Sequence, residues 1–354
     1  MKTAIIKQMY DSQGPWSSVK WSDTTAEKIF EMWPSTITFW GITCLLKADW
    51  YIVPQQKLTS DYIQDVLKTP VRKEIMEKYT TGVVAIDDIP LNEYDLVFTL
   101  DPIFEIPQQQ FSKGNQDKKP IFAYFVPEHW DRLYNASIAK PIGNFDLFLA
   151  VMLEPPQELT TLPQSVSFHY PCDPKAADFL KTANKKEAVW AEWRLLCTLG
   201  ATRMWSASAK EAAKRLEDFI KIPVHYKGDF NKAPMGISDP PLWGDAVDYL
   251  KALGQCKYYL AVGRYSGPGQ GIREAASLGC ICIGEADKPY HNMVCHPEAL
   301  CNDMVDMPNV LRRIIASRSL QQQILEYQYK ALEQKFAKEP IDLLKKAITI
   351  KKQK

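Results

Sequence analysis

The residues of this chain best suited to chemistry lie between Tyr265 and Gly284, in the run YSGPGQGIREAASLGCICIG. A glycine-rich turn, which contains Gly267, Gly269 and Gly271, leads into a short predicted helix. Glycines let the backbone approach a ligand closely, and the first turn of a helix adds the positive end of its dipole. The pattern therefore predicts a binding site for an anion, most simply a diphosphate.

Charged side chains accompany this turn. Glu274 lies about one turn into the predicted helix, where its carboxylate can accept two hydrogen bonds from the hydroxyls of a ribose. Arg264 precedes the turn, and Arg273 stands beside Glu274. Gly279 is predicted to end the helix before a strand at 280–283. We therefore add both arginines and the glutamate to the three glycines as predicted nucleotide-binding residues.

A second basic site is predicted near the start of the second half of the chain. The run Arg194 to Gly200 (RLLCTLG) has the pattern of a buried strand, and a helix is predicted over 209–220. A strand, an arginine-bearing loop and a helix again make a phosphate site. Lys227 directly follows the next predicted strand and joins the predicted nucleotide-binding set.

The run 265–284 resembles the nucleotide-sugar signature in the C-terminal domain of GT-B fold glycosyltransferases. In that signature a glycine-containing turn precedes a Glu-Ala pair, a small residue, a glycine and a hydrophobic strand. The pair here is Glu274 and Ala275, and Gly279 precedes the strand. The retaining branch has a further glutamate eight residues earlier, where this chain has Ser266, so retention and inversion both stay open. There is also a loose likeness to phage DNA glucosyltransferases.

The resemblance implies an α/β fold of two Rossmann-like, doubly wound parallel-sheet domains facing a central cleft. Residues 1–175 would bind the acceptor and residues 185–335 the nucleotide sugar. Residues 336–354 would form a C-terminal helix that crosses back to the first domain. The resemblance also implies a basic side chain from the first loop of the second domain at the donor diphosphate, with Arg203 as first choice and Lys210 as second. It implies a UDP- or GDP-sugar as donor substrate and no tightly bound cofactor, and no motif requires a divalent metal.

An inverting transfer needs a general base, which must come from the N-terminal domain at the carboxyl end of a strand. Four residues there come after predicted strands: Asp11, Asp101, Glu128 and His129. We favour Glu128, because the preceding strand is the most apolar of the set and is therefore predicted to be central. The alternative is that Glu128 caps a helical turn that begins at His129.

Short β-branched or aromatic runs bounded by turn residues predict the strands that position these groups. In the first half they are predicted at 3–6, 36–43, 51–53, 83–86, 96–100, 121–126, 147–151 and 165–170. In the second half a helix at 245–253 and a strand at 257–262 lead into the glycine-rich turn. Helix-capable spacers between the strands predict mostly parallel sheets.

Length and composition set outer limits on the protein. A chain of 354 residues suits two domains, and a formal net charge of +1 makes a DNA acceptor possible but does not favour it. The sequence has no apolar run of transmembrane length and no signal peptide pattern, so we predict a cytoplasmic protein. The histidines and cysteines between 289 and 301 match no zinc-binding pattern, and we predict no metal site.

Three functions are compatible with these patterns. The first is a glycosyltransferase that moves a sugar from a nucleoside-diphosphate donor to an unidentified acceptor, which is a glycan, a small molecule or a modified nucleic-acid base. The second is a GT-B fold sugar-nucleotide epimerase, with Asp101 as the additional carboxylate near the sugar. The third is a sugar-nucleotide-binding protein without catalytic activity. No P-loop and no G-x-S-x-G motif is present, which disfavours an NTPase of that class and a serine hydrolase.

Overall fold

The computed structural model describes residues 1–8, 18–32, 37–53, 88–99, 120–126, 145–150, 165–168, 171–201, 208–226, 243–262 and 270–353. The chain divides into two compact units, each an α/β structure built on a parallel sheet. The N-terminal unit consists of residues 1–172 together with 339–354, and the C-terminal unit of residues 173–338. The prediction of two parallel-sheet α/β domains is thereby confirmed.

In the N-terminal unit the described strands form one parallel sheet in the order β2-β1-β3-β4-β5-β6. These strands are β1 (Thr3–Gln8), β2 (Asp49–Val53), β3 (Leu96–Thr99), β4 (Ile121–Val126), β5 (Leu147–Ala150) and β6 (Ser165–Ser167). Each corresponds to a predicted strand, because parallel strands buried on both faces carry continuous apolar runs. The strand predicted at 83–86 lies outside the described residues.

One predicted strand of this unit is wrong. Residues 36–43 were expected to be extended, but residues 37–43 belong to helix α2 (Ile37–Leu46), which follows helix α1 (Ala26–Met32). Ile42 and Leu46, one helical turn apart, are both buried. A short run that is apolar on every side carries no periodicity, so a buried helix and a buried strand give the same pattern.

In the C-terminal unit the described strands form a second parallel sheet in the order β11-β10-β9-β7-β8. These strands are β7 (Lys186–Ala191), β8 (Val224–His225), β9 (Cys256–Leu260), β10 (Ile281–Glu285) and β11 (Leu300–Cys301). The helices here are α3 (Trp193–Ala201), α4 (Ala209–Ile220), α5 (Trp243–Gln255), α6 (Gln270–Ser277), α7 (Pro289–Val294), α8 (Met307–Ile315) and α9 (Arg318–Ala331). A π-helical segment, Leu332–Lys338, follows, and helix α10 (Glu339–Lys352) belongs to the N-terminal unit.

The start of the C-terminal unit differs from the prediction. The strand expected at 194–200 is helix α3, and the first strand of this sheet is β7, which begins upstream at Lys186. Leu195, Leu196 and Leu199 are fully or almost fully buried in one core cluster with residues of β7 and α4. Their spacing of three and four residues is helical. The first strand-to-helix junction of the unit is therefore at 191–193.

The two faces of this sheet carry different side chains. Val189, Tyr258 and Ile281 belong to the main apolar core, into which residues of α3, α4, α8 and α9 also pack. Trp190 and Cys282 pair in register with Tyr259 and point to the opposite face, because side chains alternate along a strand. Tyr259 is thus a polar group on the sheet face remote from the main apolar core.

Both sheets reverse their strand order at one point. In each unit the second described strand lies on one side of the first, and the later described strands lie on the other side. Open α/β sheets bind ligands outside the carboxyl ends of the strands at this switch point. The expected sites are therefore at the ends of β1 and β3 in the N-terminal unit, and at the ends of β7 and β9 in the C-terminal unit.

Gly279 ends helix α6 as predicted, with a φ of +79°. We expect Gly279→Ala to lower the free energy of unfolding by about 1 kcal/mol, because a side chain disfavours the left-handed region. A Cβ would lie 3.5 Å from Lys185 Cε, an ordinary contact, so the loss reflects backbone strain. Urea denaturation measures the change. Gly279→Asn should lose less, and an alanine variant as stable as the asparagine variant would contradict this explanation.

Candidate functional site

The candidate site lies at the switch point of the C-terminal sheet. Glu192 directly follows β7, and its backbone N–H donates to the carbonyl of Leu260, the last residue of β9. Its own carbonyl accepts from the N–H of Leu196 in the first turn of α3. Glu192 is therefore fixed between the ends of the two strands that flank the switch point.

Two tyrosines line this position. Tyr259 donates its hydroxyl hydrogen to Glu192 Oε1, and it is hydrogen-bonded to Tyr249 of α5. The ring of Tyr249 packs edge-on against Trp190, with ring centroids 5.4 Å apart. The hydroxyl of Tyr259 is therefore held by Glu192 and by Tyr249.

Burial and negative charge keep both hydroxyls protonated. The pKa of Tyr259 is raised well above its usual range by burial and then by the carboxylate of Glu192. The pKa of Tyr249 is raised by burial and then by the charges of Glu274 and Glu192. Glu274 thus acts on the same pair of tyrosines as Glu192. Two carboxylates flank the site, and carboxylate oxygens are strong acceptors for hydroxyl groups.

Helix α6 brings Gly271 and Glu274 to this site. The two residues are one helical turn apart and therefore lie on one side of the helix. An added Cβ on Gly271 would lie 3.2 Å from Glu192 Oε1 and 3.3 Å from Tyr259 Cζ, and closer still to the Tyr259 hydroxyl. Glu274 is 3% exposed. The predicted order of helix, glycine and strand around Glu274 is confirmed.

Arg273 lies in a different environment from its neighbour Glu274. Its side chain is fully buried, and the guanidinium carbon is 5.5 Å from the centroid of the Phe336 ring, a cation–π geometry. Phe336 belongs to the π-helical segment and stacks on Tyr290. This contact anchors α6 to the end of the unit, and nucleotide binding by Arg273 stays a prediction.

The first turn of helix α4, where Lys210 lies, is closed by its own residues. Ser208 caps the helix, and its backbone N–H donates to Glu211 Oε2 at 2.8 Å, while Glu211 N–H donates to the hydroxyl of Ser208. The carboxylate of Glu211 already occupies the position where a helix attracts an anion. Lys210 is exposed, and its predicted role as a phosphate ligand is not tested by this arrangement.

Most of the predicted site residues lie outside the described parts of the chain. They are Asp11, Asp101, Glu128, His129, Arg203, Lys227, Arg264, Gly267 and Gly269. The premise for Arg203 has nevertheless changed, because the segment before it is helix α3 and not a strand. Glu192 and Arg194, at the first strand-to-helix junction, occupy the position along the chain that was assigned to Arg203.

Glu192 and Tyr259 are not among the site residues predicted from the sequence. Misplacing the first strand of the unit put Glu192 before a strand instead of after one. The sequence does contain a signal for Glu192. This acidic residue directly follows the apolar end of the run KEAVWA and precedes Leu195, Leu196 and Leu199, which have helical spacing. Tyr259 was treated as an ordinary strand residue, since nothing in the sequence shows what faces its hydroxyl.

A buried histidine lies at the end of the neighbouring strand β10. Nδ1 of His291 accepts from the N–H of Glu285 at 2.9 Å. Burial, followed by the positive charge of Lys288, lowers the pKa of His291 to about 4. The imidazole is therefore neutral at pH 7, and Nε2 carries its proton.

This histidine makes stability depend on pH. The folded-state pKa of His291, about 4, is below its ordinary value of 6.5, so the unfolded chain binds more protons between these values. The stabilisation is complete above pH 6.5 and is lost as the pH falls toward 4. We expect the free energy of unfolding to drop by about 2 kcal/mol between pH 7 and pH 4.5, measured by urea denaturation. His291→Asn should remove this part of the slope, and an unchanged slope would contradict the assignment.

In the part of the chain that the structure describes, no three His, Cys, Asp or Glu side chains are arranged to hold a metal ion. The same residues include no helix that is long and apolar enough to cross a membrane.

No protein-family model and no curated protein matches the sequence. Solved structures do match. T4 phage BGT in complex with its UDP-glucose substrate is 13% identical, with 98% of this chain and 99% of that chain covered and a TM-score of 0.48. Anabaena Alr3699/HepE in complex with UDP is 12% identical, with 100% and 98% covered and a TM-score of 0.46. An apo structure of OtsA is 9% identical, with 98% and 99% covered and a TM-score of 0.48.

These identities and TM-scores are low, and none of the similarities assigns a function to this chain. The residues described above carry the proposals that follow.

Proposed function

We propose that this protein is a glycosyltransferase that moves a sugar from a nucleoside-diphosphate donor, a UDP- or GDP-sugar, to an acceptor. The observation that carries the proposal is the start of helix α6 at the β7–β9 switch point, with Gly271 and Glu274 on one side of the helix. A helix start reached through a glycine-rich sequence suits a diphosphate. A carboxylate one turn later suits the hydroxyls of a ribose.

The chemistry of the proposal assigns different tasks to the two units. Arg203, Arg264 and the backbone N–H groups of 267–271 bind the diphosphate in the C-terminal unit. A base from the N-terminal unit takes the proton of the acceptor hydroxyl as its oxygen attacks the anomeric carbon. The bond from that carbon to the diphosphate breaks, and the nucleoside diphosphate leaves with the electron pair. Positive and N–H groups around the diphosphate stabilise the charge that develops on it.

The strand order of the N-terminal sheet bears on the choice of base. The switch point lies between β1 and β3, and the first choice, Glu128, follows β4, one strand further along. Asp101 stands two residues beyond the end of β3, and Asp11 stands three beyond the end of β1. We therefore propose Asp101 as the base ahead of Glu128, with Asp11 and His129 as the remaining candidates.

Slow hydrolysis of a sugar nucleotide tests the function without knowledge of the acceptor. The full chain is incubated with UDP-glucose, UDP-GlcNAc, UDP-galactose and GDP-mannose, and the release of free sugar and nucleoside diphosphate is followed by chromatography. We expect one donor to be hydrolysed by the wild type, and more slowly by Glu274→Ala when the donor is below its saturating concentration. Binding without hydrolysis of any donor would favour a non-catalytic binder, and no binding of any donor would contradict the proposal.

A further inference from the structure

The contact between Gly271 and Tyr259 is closer than any side chain at position 271 would allow. A Cβ on Gly271 would overlap the hydroxyl oxygen of Tyr259 and would lie 3.3 Å from its Cζ and 3.2 Å from Glu192 Oε1. Helix α6 therefore begins with its backbone against a tyrosine hydroxyl of strand β9. The position of this hydroxyl limits how closely the first turn of the helix can approach the sheet.

The hydroxyl of Tyr259 is itself held in place. The side chain is 1% exposed, and its hydroxyl donates to Glu192. The backbone of Tyr259 is held in the sheet, where it pairs with Trp190 of β7. Glu192 is fixed through its backbone to Leu260 and Leu196. The hydrogen bond with Tyr249 adds a second constraint on the hydroxyl. A group that is fixed by three elements can serve as a rigid stop for a fourth.

We propose that Tyr259, held by Glu192, is a positioning residue for the donor site. Its hydroxyl sets the distance between the sheet and the first turn of α6, and so sets the direction of the N–H groups of that turn and the place of Glu274. The proposal rests on the proposed function. Tyr259 contacts no reacting atom and acts through the backbone at Gly271.

Two substitutions and their combination test this contact. Gly271→Ala places a methyl group where the hydroxyl lies, and we expect it to weaken the binding of UDP or GDP, whichever the wild type binds, by about tenfold or more. Tyr259→Phe removes the hydroxyl, and we expect a loss of about threefold. In the double variant the methyl group occupies the space of the missing oxygen, so affinity should return to the level of Tyr259→Phe. Isothermal titration calorimetry measures the four affinities.

Two matched controls separate positioning from general damage. Tyr258→Phe removes the adjacent tyrosine hydroxyl, which also donates to a glutamate, Glu187, at 3.1 Å. Gly254 lies in helix α5, and Gly254→Ala adds a methyl group 3.1 Å from the carbonyl oxygen of Leu180. Both should leave nucleotide affinity unchanged even where they lower the melting temperature.

A measurement without ligand keeps this proposal separate from the proposed function. Hydrogen exchange of the amides of 271–274 in the free protein should be faster in Gly271→Ala and should return toward the wild-type rate in the double variant. Additive losses of affinity, or unchanged exchange in Gly271→Ala, would overturn the positioning role. If the wild type binds neither UDP nor GDP, the donor site is overturned. If the variants nevertheless show the expected differences in hydrogen exchange, the contact between Gly271 and Tyr259 is still established.

Discussion

Replacing Asp101 by Asn should lower sugar transfer by about a hundredfold or more while nucleotide affinity stays nearly intact. Asparagine keeps the shape of the side chain but cannot take a proton from the acceptor. The reason for choosing Asp101 is topological: strand β3 flanks the switch point of the N-terminal sheet, and Asp101 is two residues beyond its end. The measurement is kcat with the donor identified by the hydrolysis panel, together with calorimetric nucleotide affinity.

Glu128→Gln is the matched comparison. Glu128 is two residues beyond the end of β4, as Asp101 is two residues beyond the end of β3, so the two variants differ in the strand they follow and not in the number of residues after it. If Asp101 is the base, Glu128→Gln should retain most of the transfer activity. Full turnover by Asp101→Asn with loss in Glu128→Gln would restore the original preference for Glu128. Loss in neither would move the search to Asp11 and His129.

The parts of the fold that could be predicted from sequence are those in which a local signal agrees with the tertiary structure. Gly279 is an example, because the left-handed backbone conformation at this position favours glycine. The short apolar run after it forms a fully buried strand, as its sequence predicts. Helix α4 is another, with an N-cap serine, a glutamate three residues later and apolar residues at helical spacing.

The errors have a physical cause as well. Helix α2 and helix α3 were both predicted as strands, because a short, nearly continuous apolar run satisfies the burial pattern of either element. The helical spacing of Leu195, Leu196 and Leu199 was available in the sequence, but it covers little more than one turn. A signal of this length does not distinguish the two structures without knowledge of the neighbouring elements.

The site itself depends on information that is not local. Which strands flank the switch point follows from the pairing of β7 with β9 and of β1 with β3, and these pairings join residues far apart in the chain. Glu274 was found from its position after a glycine-rich turn. Its partners were not, because Glu192 and Tyr249 reach the same place from different elements.

Replacing Glu274 by Ala should weaken nucleotide binding by about 1–3 kcal/mol, the range for losing a charge-assisted hydrogen bond. If the carboxylate binds the ribose, the loss should be equal for a nucleoside diphosphate and for the free nucleoside, because both contain the ribose. Arg203→Ala is the counterpart. It should weaken the nucleoside diphosphate far more than the nucleoside, since a guanidinium at the diphosphate contributes only where phosphate is present.

The comparison needs a control for burial, because Glu274 is 3% exposed and its removal leaves a space beside the tyrosine pair. Glu274→Gln fills that space and keeps one acceptor oxygen, so its loss of affinity should be smaller than that of the alanine variant. Glu187→Gln, at a glutamate that also accepts from a tyrosine hydroxyl, should leave affinity unchanged. Unchanged nucleotide affinity in a folded Glu274→Ala protein would exclude the ribose assignment, and equal losses for both ligands in Arg203→Ala would remove Arg203 from the diphosphate.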